Sequence, residues 1–205
     1  MASRFLFVGG HSAVDLVNTR PVLAGRPTEL LADPRDLAAW LGAAGLTSPV
    51  EARTLAGGWN GREGREVLAR AIEYRETLRT AFQAIAEGRP FPSRVVTATN
   101  RLLRSLSVRF ALAEEGDGFV LRTEAQILDP GHALGILARS VADLLVGHDP
   151  SRLRRCANPE CVLFFLDLTR SRTRRWCSMA SCGNRAKQQS FQRRLRATPR
   201  ARRPR

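Results

Sequence analysis

Every cysteine in this 205-residue chain, Cys156, Cys161, Cys177 and Cys182, falls within 27 consecutive residues. The spacing is Cys-x4-Cys, a fifteen-residue insert, then a second Cys-x4-Cys. Each pair can wrap a backbone knuckle around one edge of a metal ion, which is the arithmetic of a four-thiolate zinc site. A disulfide framework would need an oxidising compartment, and nothing in the sequence directs the chain to one. No His, Asp or Glu is placed to serve as a fifth candidate ligand or as a general base beside an open position, as a catalytic zinc would need. The expected cofactor is therefore one structural Zn²⁺. Four thiolates on one Zn²⁺ leave a charge of −2, and Arg154, Arg155, Arg174 and Arg175 flank the ligands closely enough in sequence to offset it.

The charge distribution singles out the same segment. Residues 151–205 carry 16 Lys or Arg against Glu160 and Asp167, while residues 1–150 carry 17 basic and 17 acidic side chains, so the whole net charge of +14 sits in the last quarter. A neutral globular part joined to a strongly basic one is the pattern of a module for a polyanion, with double-stranded DNA as the expected partner. No apolar run approaches the roughly 20 residues of a bilayer crossing. "MASRFLFVGGHSAVDL" lacks the organisation of a secretory signal, so a cytoplasmic protein with no membrane partner is expected.

Elements must position the thiols. "VLFFLDL" is rich in β-formers, "TRSRT" reads as a turn and "RRWCS" as a returning strand. After Cys182, "GNRAKQQSFQRRLRA" reads as a helix. Knuckle, hairpin and helix form a small treble-clef-like four-cysteine zinc module over 150–197, with Phe164, Phe165, Leu166, Trp176, Phe191 and Leu195 as its miniature core and 198–205 as a disordered basic tail. At 100° per residue, Asn184, Gln188, Phe191 and Leu195 form the stripe expected to pack. Arg185, Gln189, Gln192, Arg193 and Arg196 form the neighbouring stripe, suited to phosphates and base edges.

Cys182-Gly183-Asn184-Arg185, preceded by "RRWCSMAS" and followed by "AK", resembles the CGNR zinc-finger proteins of bacteria, as does "RRCANPECVLFFLD". "FVGGHSAVDLVNT" and "LADPRDLAAWLGAAGL" are similar to the ABATE domain that accompanies such fingers, and the likeness covers roughly residues 5 to 190. The resemblance implies a zinc-bound, DNA-binding C-terminal module and a regulatory N-terminal half over 1–149. Asn184 fits a bracing role; Arg185 is left between the thiolates and phosphate.

That N-terminal part is expected to be α+β and mainly helical, with one β-hairpin. "FLFVGG" reads as a short strand, followed by a helix with Ser12 at N-cap and Asp15 at N3. Asp33 and Pro34 open a helix that Gly45 closes, and another restarts after Thr47 or Ser48. A helix-turn-helix reading of this pair is weakened by Arg53 being the sole base on the second helix. "REVLARAIEYRETLRTAFQAIAEG" is the clearest amphipathic helix, its core stripe running through Val67, Ala71, Tyr74, Leu78, Phe82 and Ile85, with Arg75 and Arg79 on other sides. "PSRVVTATNRLLRSL" is a further helix. "VRFALAEEGDGFVLRTEA" is a hairpin signal and "GHALGILARSVADLLVGH" a buried helix.

Asp15 and Asn18, beside the Gly9-Gly10 turn, form a candidate small-molecule effector site, and His11 with Asp15 an acid/base pair in principle. No Walker-type loop, nucleophile motif or second metal-ligand cluster accompanies them, so no enzymatic activity is expected. A zinc-stabilised protein- or RNA-interaction module is the alternative to a DNA-binding regulator. A homodimer would suit a two-fold DNA site, though no heptad or apolar patch in the sequence demands it.

Overall fold

The computed structural model describes residues 4–197 except Asn60 and Leu128, with backbone alone at Glu124 and 195–197; the tail 198–205 and its expected disorder lie outside the described residues. The chain is α+β and mainly helical, ending in a compact four-cysteine module. Helix α1 spans Ser12–Val17, α2 Pro34–Ala43, α3 Pro49–Gly58, α4 Arg62–Ala86, α5 Ser93–Leu103, α6 His132–Gly147 and α7 Asn184–Ala197. Three antiparallel pairs complete it: β1 (Val22–Leu23) with β2 (Arg26–Pro27), β3 (Ser107–Glu115) with β4 (Gly118–Gln126), and β5 (Leu153–Arg155) with β6 (Phe164–Leu166).

Local chemistry sets most helix starts. The Asp33 carboxylate accepts from the Arg35 and Asp36 amides at 2.8 and 3.2 Å while Asp36 accepts from the Asp33 amide, a reciprocal box with Pro34 in the first turn. Ser48 and Glu51 repeat the arrangement for α3. Helix α1 departs from expectation. Its N-cap is His11, whose Nδ1 accepts from the Ala13 amide at 3.2 Å, because Ser12 Oγ is engaged 2.7 Å from Ser140 Oγ on α6.

Helix α4 is the central strut. Val67, Leu68, Ala71, Tyr74, Leu78, Ala81 and Phe82 are buried along it, and the Tyr74 hydroxyl meets Thr99 on α5 at 2.7 Å. Arg75 does not lie on an outer side, as the periodicity suggested. It is 1% exposed, binds both Glu29 carboxylate oxygens at 2.6 Å and donates to Thr19 Oγ1 at 3.0 Å. Paired in this fork-to-fork way, a guanidinium can enter a core that would reject it alone. Gly135 on α6 permits a close approach: a Cβ there would lie 2.6 Å from Leu106 backbone atoms.

The main core does not stop at the composition shift near Asp149 and Pro150. Leu153, Phe164 and Leu166 belong to the same buried cluster as Leu16, Leu78, Phe82 and Leu137, and the Phe164 and Phe82 rings stand edge-on, 6.0 Å apart. Alternation along β6 gives each face its own work. Phe164 and Leu166 enter the helical core, while Phe165, 0% exposed, packs with Leu163 and the cysteines.

Candidate zinc centre and nucleic-acid interface

Three short segments carry the thiols. Cys156 follows β5, Cys161 closes a turn over Asn158, Cys177 lies just before the π-helical turn Met179–Gly183, and Cys182 lies within that turn, which runs into α7. The expected second strand, "RRWCS", does not form. β6 pairs instead with β5, upstream of the first cysteine, because Asp167 and Arg174 fold the 167–177 loop around themselves. The buried Asp167 carboxylate accepts from the Thr169 hydroxyl and the Thr169 and Arg174 amides. Burial pushes its carboxyl up, but these bonds prevail and hold it below the usual carboxylate range.

The four sulfurs lie within 4.8 Å of one another, and they are the only group of three or more potential ligands among the described residues. A Zn–S bond of about 2.3 Å sets a tetrahedral S···S edge of about 3.8 Å. The Sγ atoms of Cys161 and Cys177 lie 3.8 Å apart and those of Cys177 and Cys182 3.7 Å apart, so the donor set fits tetrahedral zinc. Bonds from the Cys161 and Cys177 thiols, together with backbone bonds, pull the Cys156 thiol down to about 2. Engagement with Cys156 pushes Cys161 up to about 12 and Cys177 up as well. Neighbouring thiolates repel one another, so a cation bound among these sulfurs would displace the thiol protons to solvent and offset the accumulated negative charge.

Polar hydrogens support the sulfurs. The Cys177 amide donates to Cys156 Sγ at 3.5 Å and Asn158 Nδ2 to Cys182 Sγ at 3.4 Å, an orienting role the sequence reading missed although Asn158 sits inside the first Cys-x4-Cys pair. Of the four flanking arginines, Arg174 turns inward. It donates to the carbonyls of Val8, Leu166, Trp176 and Cys177 and lies 4.3 Å over the Phe165 ring. Arg154, Arg155 and Arg175 are exposed.

"FLFVGG" is extended but forms no ladder. It crosses onto the module instead: Leu6 and Val8 pack against the cysteine cluster, and the Leu166 amide donates to the Gly9 carbonyl at 2.7 Å. Asp15 and Asn18, read as a ligand site, are both buried and already bonded to the chain. Asn18 brackets Phe164, accepting from its amide and donating to its carbonyl, each at 2.9 Å, so one side chain completes the outer edge of β6. Asp15 accepts from the Gly9 amide at 2.7 Å, and a Cβ on Gly9 would sit 2.7 Å from that carboxylate. Burial raises the Asp15 carboxyl to about 6. His11 uses Nδ1 for its cap and faces His148 edge-on at 5.7 Å; burial and then His148 lower its pKa. An effector at Asp15 and Asn18 would have to displace this clamp between α1 and the zinc module.

Residues 10–148 match the ABATE family model, described as "Putative stress-induced transcription regulator". The chain belongs to the ABATE family. Its C-terminal module matches the CGNR zinc finger model over 152–195, so this ABATE protein carries a metal-binding zinc finger. No curated protein matches the chain. None of the described helices of this ABATE chain is long and apolar enough to cross a membrane.

Helix α7 differs from expectation in what it packs. Asn184 is exposed and donates to the Ala180 carbonyl at 3.3 Å, a local brace. Gln188 and Phe191 are exposed, Phe191 by 62%, so neither is buried as the expected packing stripe required; the Leu195 side chain lies outside the described residues. Arg185, Gln189, Gln192 and Arg193 are exposed, as are Lys187 and Arg194; the Arg196 side chain lies outside the described residues. Arg185 pairs with Glu160 across 3.6 Å at the protein surface. Beside the helix root, Thr169, Thr173, Arg174, Arg175, Trp176, Ser178 and Met179 line an open groove of about 510 Å³.

Proposed function

We propose that this ABATE protein is a zinc-dependent, DNA-binding transcription regulator whose helix α7 docks on double-stranded DNA. One structural Zn²⁺ held by Cys156, Cys161, Cys177 and Cys182 fixes the root of that helix. The observation that carries the reading is α7 itself: its described side chains are almost all exposed, and every charged residue in 184–197 is basic. A helix polar on most sides and packed mainly at its root is marginal by itself. The phosphate backbone supplies what it lacks. Arg185, Gln189, Gln192, Arg193 and Arg196 form the docking stripe. The helical half is the regulatory part, dimerising or sensing a small effector, and the whole chain acts in the cytoplasm by binding rather than by catalysis.

Fluorescence anisotropy with duplex DNA at several salt concentrations tests it. Full-length protein is expected to bind with a steep salt dependence, and replacing Arg185 and Arg193 with Ala to reduce the slope by roughly two. Full affinity after removal of 184–205 overturns the docking assignment. A single-stranded RNA reading has one observation in its favour, the half-buried Trp176 with Arg175 5.2 Å over its ring at the edge of the 510 Å³ groove. Tighter binding of single strands than of duplex at equal salt would select it.

A further inference from the structure

We infer that the β3–β4 hairpin is a dimerisation arm whose apolar face is covered by the same face of a second copy of this chain. The register sets opposite each other Val108 and Ala125, Phe110 and Thr123, Leu112 and Leu121, and Glu114 and Phe119. Directly opposed residues share a face, so Val108, Phe110, Leu112, Phe119 and Leu121 lie together. They are 40, 64, 70, 71 and 67% exposed. The other face carries Arg109 and Arg122 with Ala111, Ala113 and Val120, of which the last three are half-buried.

This is the reverse of an ordinary surface strand, which turns its large apolar residues inward and its charges outward. The two strands pack mainly on one another. A lone two-stranded hairpin with an uncovered apolar face is marginal in water. The five side chains expose on the order of 550 Å² of apolar surface, at the upper end for a monomer.

Area and chemistry select the occupant. Two such faces pressed together bury on the order of 1,100 Å², above the roughly 1,000 Å² a specific interface requires. Glu114, at the tip, is the one charged residue on the face, so a flat apolar centre meets its own copy without burying an unpaired charge. In a two-fold, antiparallel pairing the tip that carries Glu114 lies toward the base of the partner's hairpin, away from the apolar centre. The tail 198–205 is basic and carries no large apolar side chain to cover the face. The inference rests on the dimerising role proposed for the helical half and is independent of DNA docking.

Sedimentation velocity of the zinc-loaded full chain without DNA, from 1 to 100 µM, tests it, compared with F110T/L112T/L121T, which places polar, β-branched strand formers at these exposed positions. The wild type is expected to shift from monomer to dimer and the variant to show a dissociation constant raised at least 100-fold, with unchanged circular dichroism and zinc content. A wild type that stays monomeric at 100 µM, or a variant that dimerises as well, overturns the inference. Hydroxyl-radical footprinting of the wild type reads the same face without substitution. Phe110 and Phe119 are expected to lose reactivity as the dimer forms. Unchanged reactivity in a dimer, or protection already complete in the monomer by another part of the chain, overturns it.

Discussion

Asn18 shows how much one side chain can hold. Its amide satisfies both backbone groups of a buried Phe164, joining α1 to the strand that carries the zinc module. Asn18→Ala leaves an N–H and a C=O buried without partners, at about 1–3 kcal/mol each. The expected loss is about 2–6 kcal/mol, read as a lower midpoint in equilibrium urea unfolding, with faster zinc loss to a chelator. Asp15 works with the opposite sign. Its carboxyl titrates near 6 in the folded chain against an ordinary 3.8. Between about pH 4 and 6 the folded state therefore holds a proton that the unfolded state has released, and stability falls as pH rises through that window. Asp15→Asn keeps an acceptor for the Gly9 amide and removes the buried charge. Its stability advantage over wild type is expected to grow from pH 5 to pH 7.5, reaching about 1–3 kcal/mol. A gain that is flat with pH would contradict the burial of an ionised Asp15.

At the scale of elements, β6 and α7 are opposites. β6 is three residues long and buried on both faces, serving two cores at once. α7 is fourteen residues long and packs chiefly at its root. Phe165→Ala, at a 0% exposed position between the cysteines and the strand, is expected to cost about 3–5 kcal/mol and to weaken zinc retention. Phe191→Ala, at a 62% exposed position, is expected to change stability by less than about 0.5 kcal/mol. Thermal unfolding of both variants, followed by circular dichroism and zinc release, checks the contrast. A destabilisation of Phe191→Ala comparable to that of Phe165→Ala would mean that α7 folds back onto the body.

For the whole molecule, the core is continuous, so a metal held by the four cysteines is expected to stabilise both halves. Leu153, Phe164 and Leu166 reach the helical core from β5 and β6, and Leu6 and Val8 reach the cysteine cluster from the N-terminus. Removing zinc releases the knuckles that anchor these strands. Chelation is therefore expected to lower the melting temperature of the entire chain by several degrees, in one transition seen alike by far-ultraviolet ellipticity and by the tryptophans Trp40 and Trp59 of the helical part. Unchanged melting of the helices after chelation would show that the two halves are energetically separate.

Legibility followed the range of the interaction. The cysteine spacing, the confined positive charge, the Asp33 and Ser48 caps, the long amphipathic α4 and the β3–β4 turn are local patterns, so the sequence alone determined a mainly helical α+β chain ending in a four-cysteine module. Partners distant in sequence left no such trace. Nothing near Arg75 announces Glu29, 46 residues away, and nothing near Asn18 announces Phe164, 146 residues away. β6 chose β5 over "RRWCS" because the loop between is gathered by Asp167 and Arg174. Alternation in β3 and β4 specified an apolar face and could not say which way it would point. Tertiary structure decided that the face stays outside, that Phe191 stays exposed, and that Asp15 and Asn18 clamp two halves together, because each outcome depends on which surfaces the rest of the fold had already covered.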